Sequence, residues 1–287
     1  MKNVIVSTIR KAQTSLLVYS ALSAYGGRRT GELPGTWFVA AFAPLGRETQ
    51  AVRQTLFRIV REKELVARKA GRVKFFSLSP YGRAATAAGS EKISSIPDER
   101  WDGDWTIVRY EFSSSERVDR DRVRDLLETE GFAPIGRAVF VHPRDRSARI
   151  VEALRDVGTL DKVMLFRARK ISGENDAALV RRLWDLAALE RRYAKFLDDF
   201  SFMLRRQERA WDPEAAFAAR LAVVLAFLDV AWDDPELPLS LLPARWPGRR
   251  ARELAATLYQ RLLPGTLEYG DTLLASLTGS AALEVRP

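Results

Sequence analysis

The residues best suited to recognise a ligand by hydrogen bonds lie together in the segment 46–64, GRETQAVRQTLFRIVREKE. Apolar or small side chains recur there every three or four positions, which predicts a helix with one buried face: Val52, Thr55, Leu56 and Ile59. The opposite face carries amide and guanidinium groups around Phe57. Arginine and glutamine read guanine and adenine edges in the major groove of DNA. We therefore predict a DNA-contacting helix, although a merely solvated face would show the same pattern; its contact residues are Thr49, Gln50, Arg53, Gln54, Arg58 and Arg61.

The segment that follows this helix favours DNA binding over a solvated face. Residues 65–69 and 72–78 have the composition of two strands, and Ala70 with Gly71 makes the tight turn between them. A helix followed at once by a basic hairpin is typical of a winged helix-turn-helix, in which the helix enters the major groove and the hairpin lies along phosphates. Four basic side chains surround the turn and are predicted to contact phosphates: Arg68, Lys69, Arg72 and Lys74.

Other kinds of chemistry find little support in the sequence. The chain has no cysteine and one histidine, which excludes thiol catalysis and cysteine-ligated zinc and leaves little for a histidine metal site. Asp102 and Asp104 are the candidates for a metal-dependent nuclease, but two carboxylates before a strand are more typical of turn and cap residues. His142, next to Pro143, is predicted to be a surface turn residue. We predict a protein without catalytic residues, metal or cofactor.

The charge distribution points to a polyanion-binding N-terminal part. The 287 residues carry a net charge of +9 and are 47% apolar and 29% charged, which is ordinary for two or three folded domains. Residues 1–90 hold fifteen Lys and Arg against four Asp and Glu, a net charge of +11, whereas the remainder has a net charge of −2. A general need for solubility would not concentrate the excess in this way, but binding to a nucleic acid would.

No membrane segment or secretion signal is predicted. The most apolar run, residues 221–232, is broken by Asp229 and has about half the length that a membrane-spanning helix needs. The apolar residues 4–6 near the start are too few for a signal peptide. We expect the protein in the cytoplasm.

The coarse pattern predicts three domains of an α+β protein. Helices at 13–25 and 36–43, with Trp37 and Phe38 in the core, precede the DNA-contacting helix, and residues 81–95 read as a helix end and linker. These elements define a winged-helix domain at 1–90. A second domain at 100–172 has the order β-α-β-β-α-β, which is typical of a ferredoxin-like sandwich; its elements are 105–112, 118–130, one or two strands in 132–141, 147–156 and 162–168.

The third predicted domain, at 173–287, is helical. Apolar residues on a three-and-four spacing predict one long helix: Leu179, Leu183, Leu186, Tyr193, Leu197, Phe200 and Leu204. Further helices are predicted at 214–232, 249–263 and 266–277, with a proline-punctuated connection at 234–242.

Three blocks of the sequence resemble the PaaX-type repressors of bacterial phenylacetate-degradation operons. They are residues 45–81, residues 101–143, and RRLWDLAALERRYAKFL at 181–197 together with DPELPLSLLPARWPGRRARELAATLY at 234–259. The resemblance implies a winged-helix domain, a ferredoxin-like middle domain and a helical C-terminal domain. It also implies a homodimer that represses transcription from a double-stranded DNA operator, an inverted repeat, and is released by an aryl-CoA thioester, phenylacetyl-CoA.

If the effector carries over, phenylacetyl-CoA or another acyl-CoA needs basic and aromatic side chains in one place. We predict that arginines meet its phosphates and that Trp184 or Tyr193 shapes the acyl or adenine pocket, although simple helix packing would also account for both aromatic residues. The predicted arginines are Arg181, Arg182, Arg191 and Arg192. Where similar sequences carry a histidine and arginines, this chain has Leu225, Leu228 and Asp229. A DNA-binding regulator or scaffold without a small-molecule effector therefore stays open.

Overall fold

The computed structural model describes residues 2–28, 31–94, 100–205 and 211–283. The chain forms two compact units and is of mixed α and β structure with two antiparallel sheets. The first unit comprises Met1–Ser95, Lys195–Asp229 and Arg250–Pro287, and the second comprises Ile96–Ala194 and Val230–Arg249. The predicted helical C-terminal segment thus contributes residues to both units. In the described part of the chain, no helix has the length and apolar character to cross a membrane.

The N-terminal part of the first unit contains five helices and a small sheet, and α2 to α5 contact that sheet. The strands pair antiparallel in the order β1-β3-β2, and β2 and β3 form the hairpin that the sequence predicts. Trp37 and Phe38 lie wholly buried, as predicted. The helices are α1 Lys2–Lys11, α2 Thr14–Ala24, α3 Gly35–Phe42, α4 Thr49–Arg61 and α5 Pro80–Ser94, and the strands are β1 Leu33–Pro34, β2 Leu65–Ala70 and β3 Val73–Leu78.

Residues 81–94 form a regular helix and not the helix end and linker predicted for 81–95, of which Ser95 lies outside the described residues. Their small polar side chains do not end the helix, because they hydrogen bond back to its own carbonyl groups. The hydroxyls of Thr86, Ser90 and Ser94 donate to the carbonyl four residues earlier at 2.9, 3.0 and 2.9 Å. The Ser79 hydroxyl accepts the N–H of Gly82 at 3.0 Å and holds the first turn.

The first unit is completed by three C-terminal helices, of which α10 and α12 contact Trp37 of α3. The indole of Trp37 donates to the carbonyl of Gly270 at 3.2 Å, and the hydroxyl of Tyr25 donates to the carboxylate of Asp271 at 2.8 Å. Phe217 meets the Trp37 ring edge-on, with centroids 6.1 Å apart. These helices are α10 Pro213–Ala231, α11 Pro247–Arg261 and α12 Leu263–Leu283.

The second unit is built on a four-stranded antiparallel sheet in the order β5-β6-β4-β7. Its elements follow the predicted order β-α-β-β-α-β, and one sheet face buries Val108 and Phe140 against Val123 and Leu127 of one helix and Leu154 of another. The elements are β4 Asp104–Tyr110, α6 Arg117–Thr129, β5 Ala133–Gly136, β6 Val139–His142, α7 Ser147–Val157 and β7 Val163–Arg169.

The prediction that His142 is a surface turn residue is wrong. His142 ends β6 and is fully buried, because the segment around Pro235 covers it. Its Nε2–H donates to the Pro235 carbonyl at 2.9 Å, and its Nδ1 accepts the N–H of Arg144 at 3.0 Å. Burial, with the Arg146 charge nearby, lowers the pKa of His142 to about 3, so the ring is neutral at physiological pH.

The prediction of one long helix from residue 179 onward is also wrong, because the structure has two helices there. α8 spans Asp176–Leu183 and α9 spans Leu186–Phe200, with Trp184 in an extended conformation between them. The Asp185 carboxylate accepts the N–H of Ala188 at 2.9 Å, so it caps a new helix. The buried face of α9 therefore begins at Leu186, and it contains Phe196 where the prediction had Leu197. The buried residues of α9 are Leu186, Leu189, Tyr193, Phe196 and Phe200.

Candidate nucleic-acid interface

The helix α4 presents one face to the core of the first unit and the other to solvent. Val52, Leu56 and Ile59 are buried, as the sequence predicts. The turn before the helix uses Gly46 at φ 77°, a left-handed conformation that favours glycine. Next to it, the Arg47 guanidinium donates to the carbonyls of Ile9 and Ala12, at 2.5 and 2.6 Å, and so ties the turn to the end of α1. The six predicted contact residues of α4 are all exposed: Thr49, Gln50, Arg53, Gln54, Arg58 and Arg61.

The hairpin places its four predicted phosphate contacts around an exposed tip. The tight turn lies one residue later than predicted: Ala70 pairs with Val73 as the last residue of β2, so Gly71 and Arg72 form the turn. Gly71 has φ 59°, a left-handed conformation that favours glycine. Among the residues that the structure describes, no carboxylate pairs with Lys69 or Arg72. Lys74 lies with its ammonium 4.6 Å from the centre of the Phe57 ring, so the hairpin and α4 are in direct contact. The exposed side chains of the hairpin include Arg68, Lys69, Arg72 and Lys74.

Two of the predicted DNA contacts already have carboxylate partners. Arg58 pairs with both oxygens of Glu62 at 3.0 Å, and Arg68 pairs with both oxygens of Glu32. The Glu62 partner is recoverable from sequence because it lies four positions along the same helix. Glu32 is 36 positions from Arg68, and no local pattern joins them. A phosphate that binds Arg68 therefore competes with Glu32.

The predicted effector residues lie along α8, α9 and the residue pair between them, and several have protein partners. Arg182 pairs with Glu174, and Arg192 pairs with Asp233 at 2.6 Å. Tyr193 is fully buried and donates to Asp234 at 2.5 Å.

Trp184, half-buried, donates its indole N–H to the Gly131 carbonyl at 3.0 Å. Arg181 and Arg191 are exposed. The effector site stays a prediction, and ligand binding at Tyr193 would have to rearrange a packed side chain.

The two carboxylates considered for a nuclease are engaged by arginines. Asp102 accepts the backbone N–H of Asp104 at 2.9 Å, which lowers its pKa, and pairs with Arg167 at 2.5 Å. Asp104 pairs with Arg169 at 3.0 Å. Across the described ranges, no three His, Cys, Asp or Glu side chains are grouped as a metal site would require. These contacts are typical of a turn before a strand and not of metal ligands.

Two models of one protein family match this chain. Residues 98–180 match the model for the PaaX protein central Cas2-like domain, and residues 184–271 match the model for the PaaX-like protein C-terminal domain. The chain is 30% identical to transcriptional repressor PaaX of Escherichia coli (strain K12), over 97% of this chain and 90% of that protein. This chain belongs to the PaaX family. The predicted family is thereby confirmed, and because that relative is a repressor and not a catalyst, so is the prediction that the protein is not an enzyme.

A solved structure shares the fold of this PaaX-family chain. The uncharacterized protein Rv0674 from Mycobacterium tuberculosis superposes with a TM-score of 0.58, covering 88% of this chain and 96% of that one. The two sequences are 22% identical, so the likeness shows a common fold and carries no functional assignment.

Proposed function

We propose that this protein is a sequence-specific DNA-binding transcription regulator, a repressor, whose first unit contains a winged helix-turn-helix. The observation that carries the proposal is the exposed amide and guanidinium face of α4 beside a hairpin whose Lys69 and Arg72 pair with no carboxylate of the described residues. In this arrangement α4 reads base edges in the major groove, and the hairpin lies along the phosphates. The described sheet order of the second unit, with α6 and α7 on one face, supports a ferredoxin-like assignment there.

The experiment that tests DNA binding separates base reading from phosphate contact. An operator is obtained by footprinting the upstream region of the gene or by selection from random duplexes. Gln54→Ala is expected to cost roughly 1–3 kcal/mol and to relax specificity at one position, because it removes a base contact. Lys69→Ala or Arg72→Ala is expected to weaken binding to all DNA sequences alike and to reduce the slope of log affinity against log salt concentration by about one. Arg155→Ala, an equal charge change on α7, is the control, and unchanged binding after both hairpin substitutions together contradicts the proposal.

We also propose that the protein lies in the cytoplasm. We propose that it binds an inverted repeat as a homodimer, because one winged helix reads few base pairs. The second unit offers a surface for a second copy. Phe166 and Met164 are 50% and 45% exposed on the sheet face away from α6 and α7. Arg109 and Glu111 lie beside each other, with their charged atoms 3.0 Å apart. In a two-fold dimer, Arg109 of one copy can therefore face Glu111 of the other.

Sedimentation at micromolar concentration is expected to give a dimer for the wild-type protein and a monomer for Phe166→Glu. Ile171→Glu, at a residue that is 96% exposed, is the control. A wild-type monomer both free and on DNA contradicts this assembly.

We further propose phenylacetyl-CoA or another acyl-CoA as the effector of a phenylacetate-type catabolic operon, held by the arginines of α8 and α9. A preference of roughly 100-fold for the non-binding conformation, near 2.7 kcal/mol, would release the operator. Calorimetric titration with a panel of acyl-CoAs, followed by gel shifts, tests this. A regulator without an effector is the second candidate, since Trp184 and Tyr193 already have protein partners, and it is favoured if none of the panel binds below about a millimolar.

A further inference from the structure

Phe57 is an exposed aromatic side chain in the middle of the proposed reading face. It is 51% exposed, although the other large apolar residues of α4, Leu56 and Ile59, are buried. Residues three and four positions apart are neighbours on a helix, so Phe57 lies beside Arg53, Gln54 and Arg61. Single exposed apolar residues are common on protein surfaces, but this ring lies in the middle of the face that is predicted to meet DNA.

The ring is held in place from two sides. Phe76, which is buried in the sheet, meets it edge-on with centroids 6.4 Å apart. The ammonium of Lys74 lies 4.6 Å from the ring centre, a cation–π contact. Phe57 is therefore supported by β3 and presents a fixed apolar edge to solvent, and its position does not depend on a partner.

In the major groove, the apolar group that base edges present is the C5-methyl of thymine. The polar side chains of α4 suit guanine and adenine, and they have no apolar surface of comparable size. We propose that Phe57 packs against the methyl group of a thymine in the operator and so specifies that base. This inference rests on the proposed function, and it adds thymine to the bases that α4 reads.

The surroundings of Phe57 favour DNA over a protein partner. Arg53 and Arg61 flank the ring on the helix, Lys74 lies against it, and no carboxylate pairs with either arginine in the described part of the chain. An apolar anchor inside a cationic rim matches the thymine methyl inside the phosphate-lined groove.

The test removes the methyl group alone. An operator selected by the wild-type protein from random duplexes is synthesised with single thymine-to-uracil replacements, and affinities are measured for wild-type, Phe57→Ala and Gln54→Ala. One replacement is expected to weaken wild-type binding by about fourfold, which corresponds to the ~0.8 kcal/mol of one buried methylene-sized group. Phe57→Ala is expected to bind the two operators equally, whereas Gln54→Ala keeps the fourfold difference. Phe57→Leu, which retains an apolar contact, is expected to keep part of it.

Three results would contradict thymine reading by Phe57. If no replacement changes wild-type affinity by more than about 1.5-fold, or if Phe57→Ala keeps the full difference, Phe57 does not read thymine, while specific binding of the operator upholds the proposed function. If selection yields no preferred sequence, the proposed function and this inference both fail. Circular dichroism melting confirms that each variant is folded.

Discussion

His142 is the one histidine of the chain, and its buried neutral ring makes it a distinct contributor to pH dependence. Its pKa is about 3 in the folded protein and about 6.5 in an unfolded chain. Between these values the unfolded state binds a proton that the folded state excludes. The contribution of His142 to stability is therefore fully present above about pH 6.5 and is lost progressively as pH falls toward 3.

We expect the free energy of unfolding to fall by up to about 1.4 kcal/mol per pH unit as pH is lowered from 6.5 to 5. Carboxylates contribute little in that window because their unfolded pKa values lie near 4. Guanidinium denaturation followed by circular dichroism measures the slope. His142→Gln, although less stable, is expected to show a flat profile over the same range, and a retained slope in this variant would contradict the assignment.

Glu32 pairs with Arg68, a predicted phosphate contact, so we expect it to oppose DNA binding. The Arg68 guanidinium holds the pKa of Glu32 below its usual range, which keeps the pair charged under ordinary conditions. Glu32→Gln is expected to raise DNA affinity by roughly two- to fivefold at 0.1 M salt, in keeping with an exposed ion pair, and less at higher salt. Fluorescence anisotropy with the operator measures this. Glu174→Gln, which releases Arg182 in the same way, should leave affinity unchanged; an unaltered or lower affinity of Glu32→Gln counts against the competition.

At the scale of elements, α4 and the β2–β3 hairpin were predictable because their signals are local. Helical periodicity and a two-residue turn lie within short windows. The buried face of α4 is as expected except that Thr55 is only partly buried, and the turn lies one residue later than predicted, at Gly71 and Arg72. The two-residue strand β1 was not predictable, because it exists through pairing of Leu33 with Phe76, 43 positions away. The ten predicted DNA contacts are exposed on the expected elements, but the Glu32 partner of Arg68 depends on tertiary structure.

The break between α8 and α9 had a local sequence signal, but the prediction followed the apolar spacing that continues across it. Asp185 is a strong N-cap residue, and it lies just before Leu186. Asp185→Ala is expected to lower the free energy of unfolding by about 1 kcal/mol, because the N–H of Ala188 loses its acceptor. Asp198→Ala, on an exposed position of α9, should change it by less than about 0.5 kcal/mol. Denaturant titration compares the two, and equal effects would exclude a capping role.

At the scale of the whole molecule, the first unit depends on helices that come from both ends of the sequence. A Cβ atom at Gly270 of α12 would lie 2.4 Å from the Tyr25 ring. Gly→Ala in an unconstrained helix stabilises by up to about 1 kcal/mol, but here overpacking is expected to destabilise by about 1–3 kcal/mol. Thermal melting of Gly270→Ala tests the packing, with Gly136→Ala, where a Cβ meets open space, as the control. A stabilised Gly270→Ala protein would mean that α12 does not pack on α2.

The hydrogen bond from Trp37 to Gly270 also has a consequence for synthesis, because its partners are 233 positions apart. At about 5–20 residues per second, a ribosome makes Gly270 roughly 10–50 s after Trp37. During that interval the nascent chain carries α2, α3 and α4 but lacks the helix against which Tyr25 and Trp37 pack. The first unit thus lacks the packing of α12 on α2 and α3 until Gly270 has been made, so we expect shorter products of an interrupted message to leave Tyr25 and Trp37 uncovered on that side.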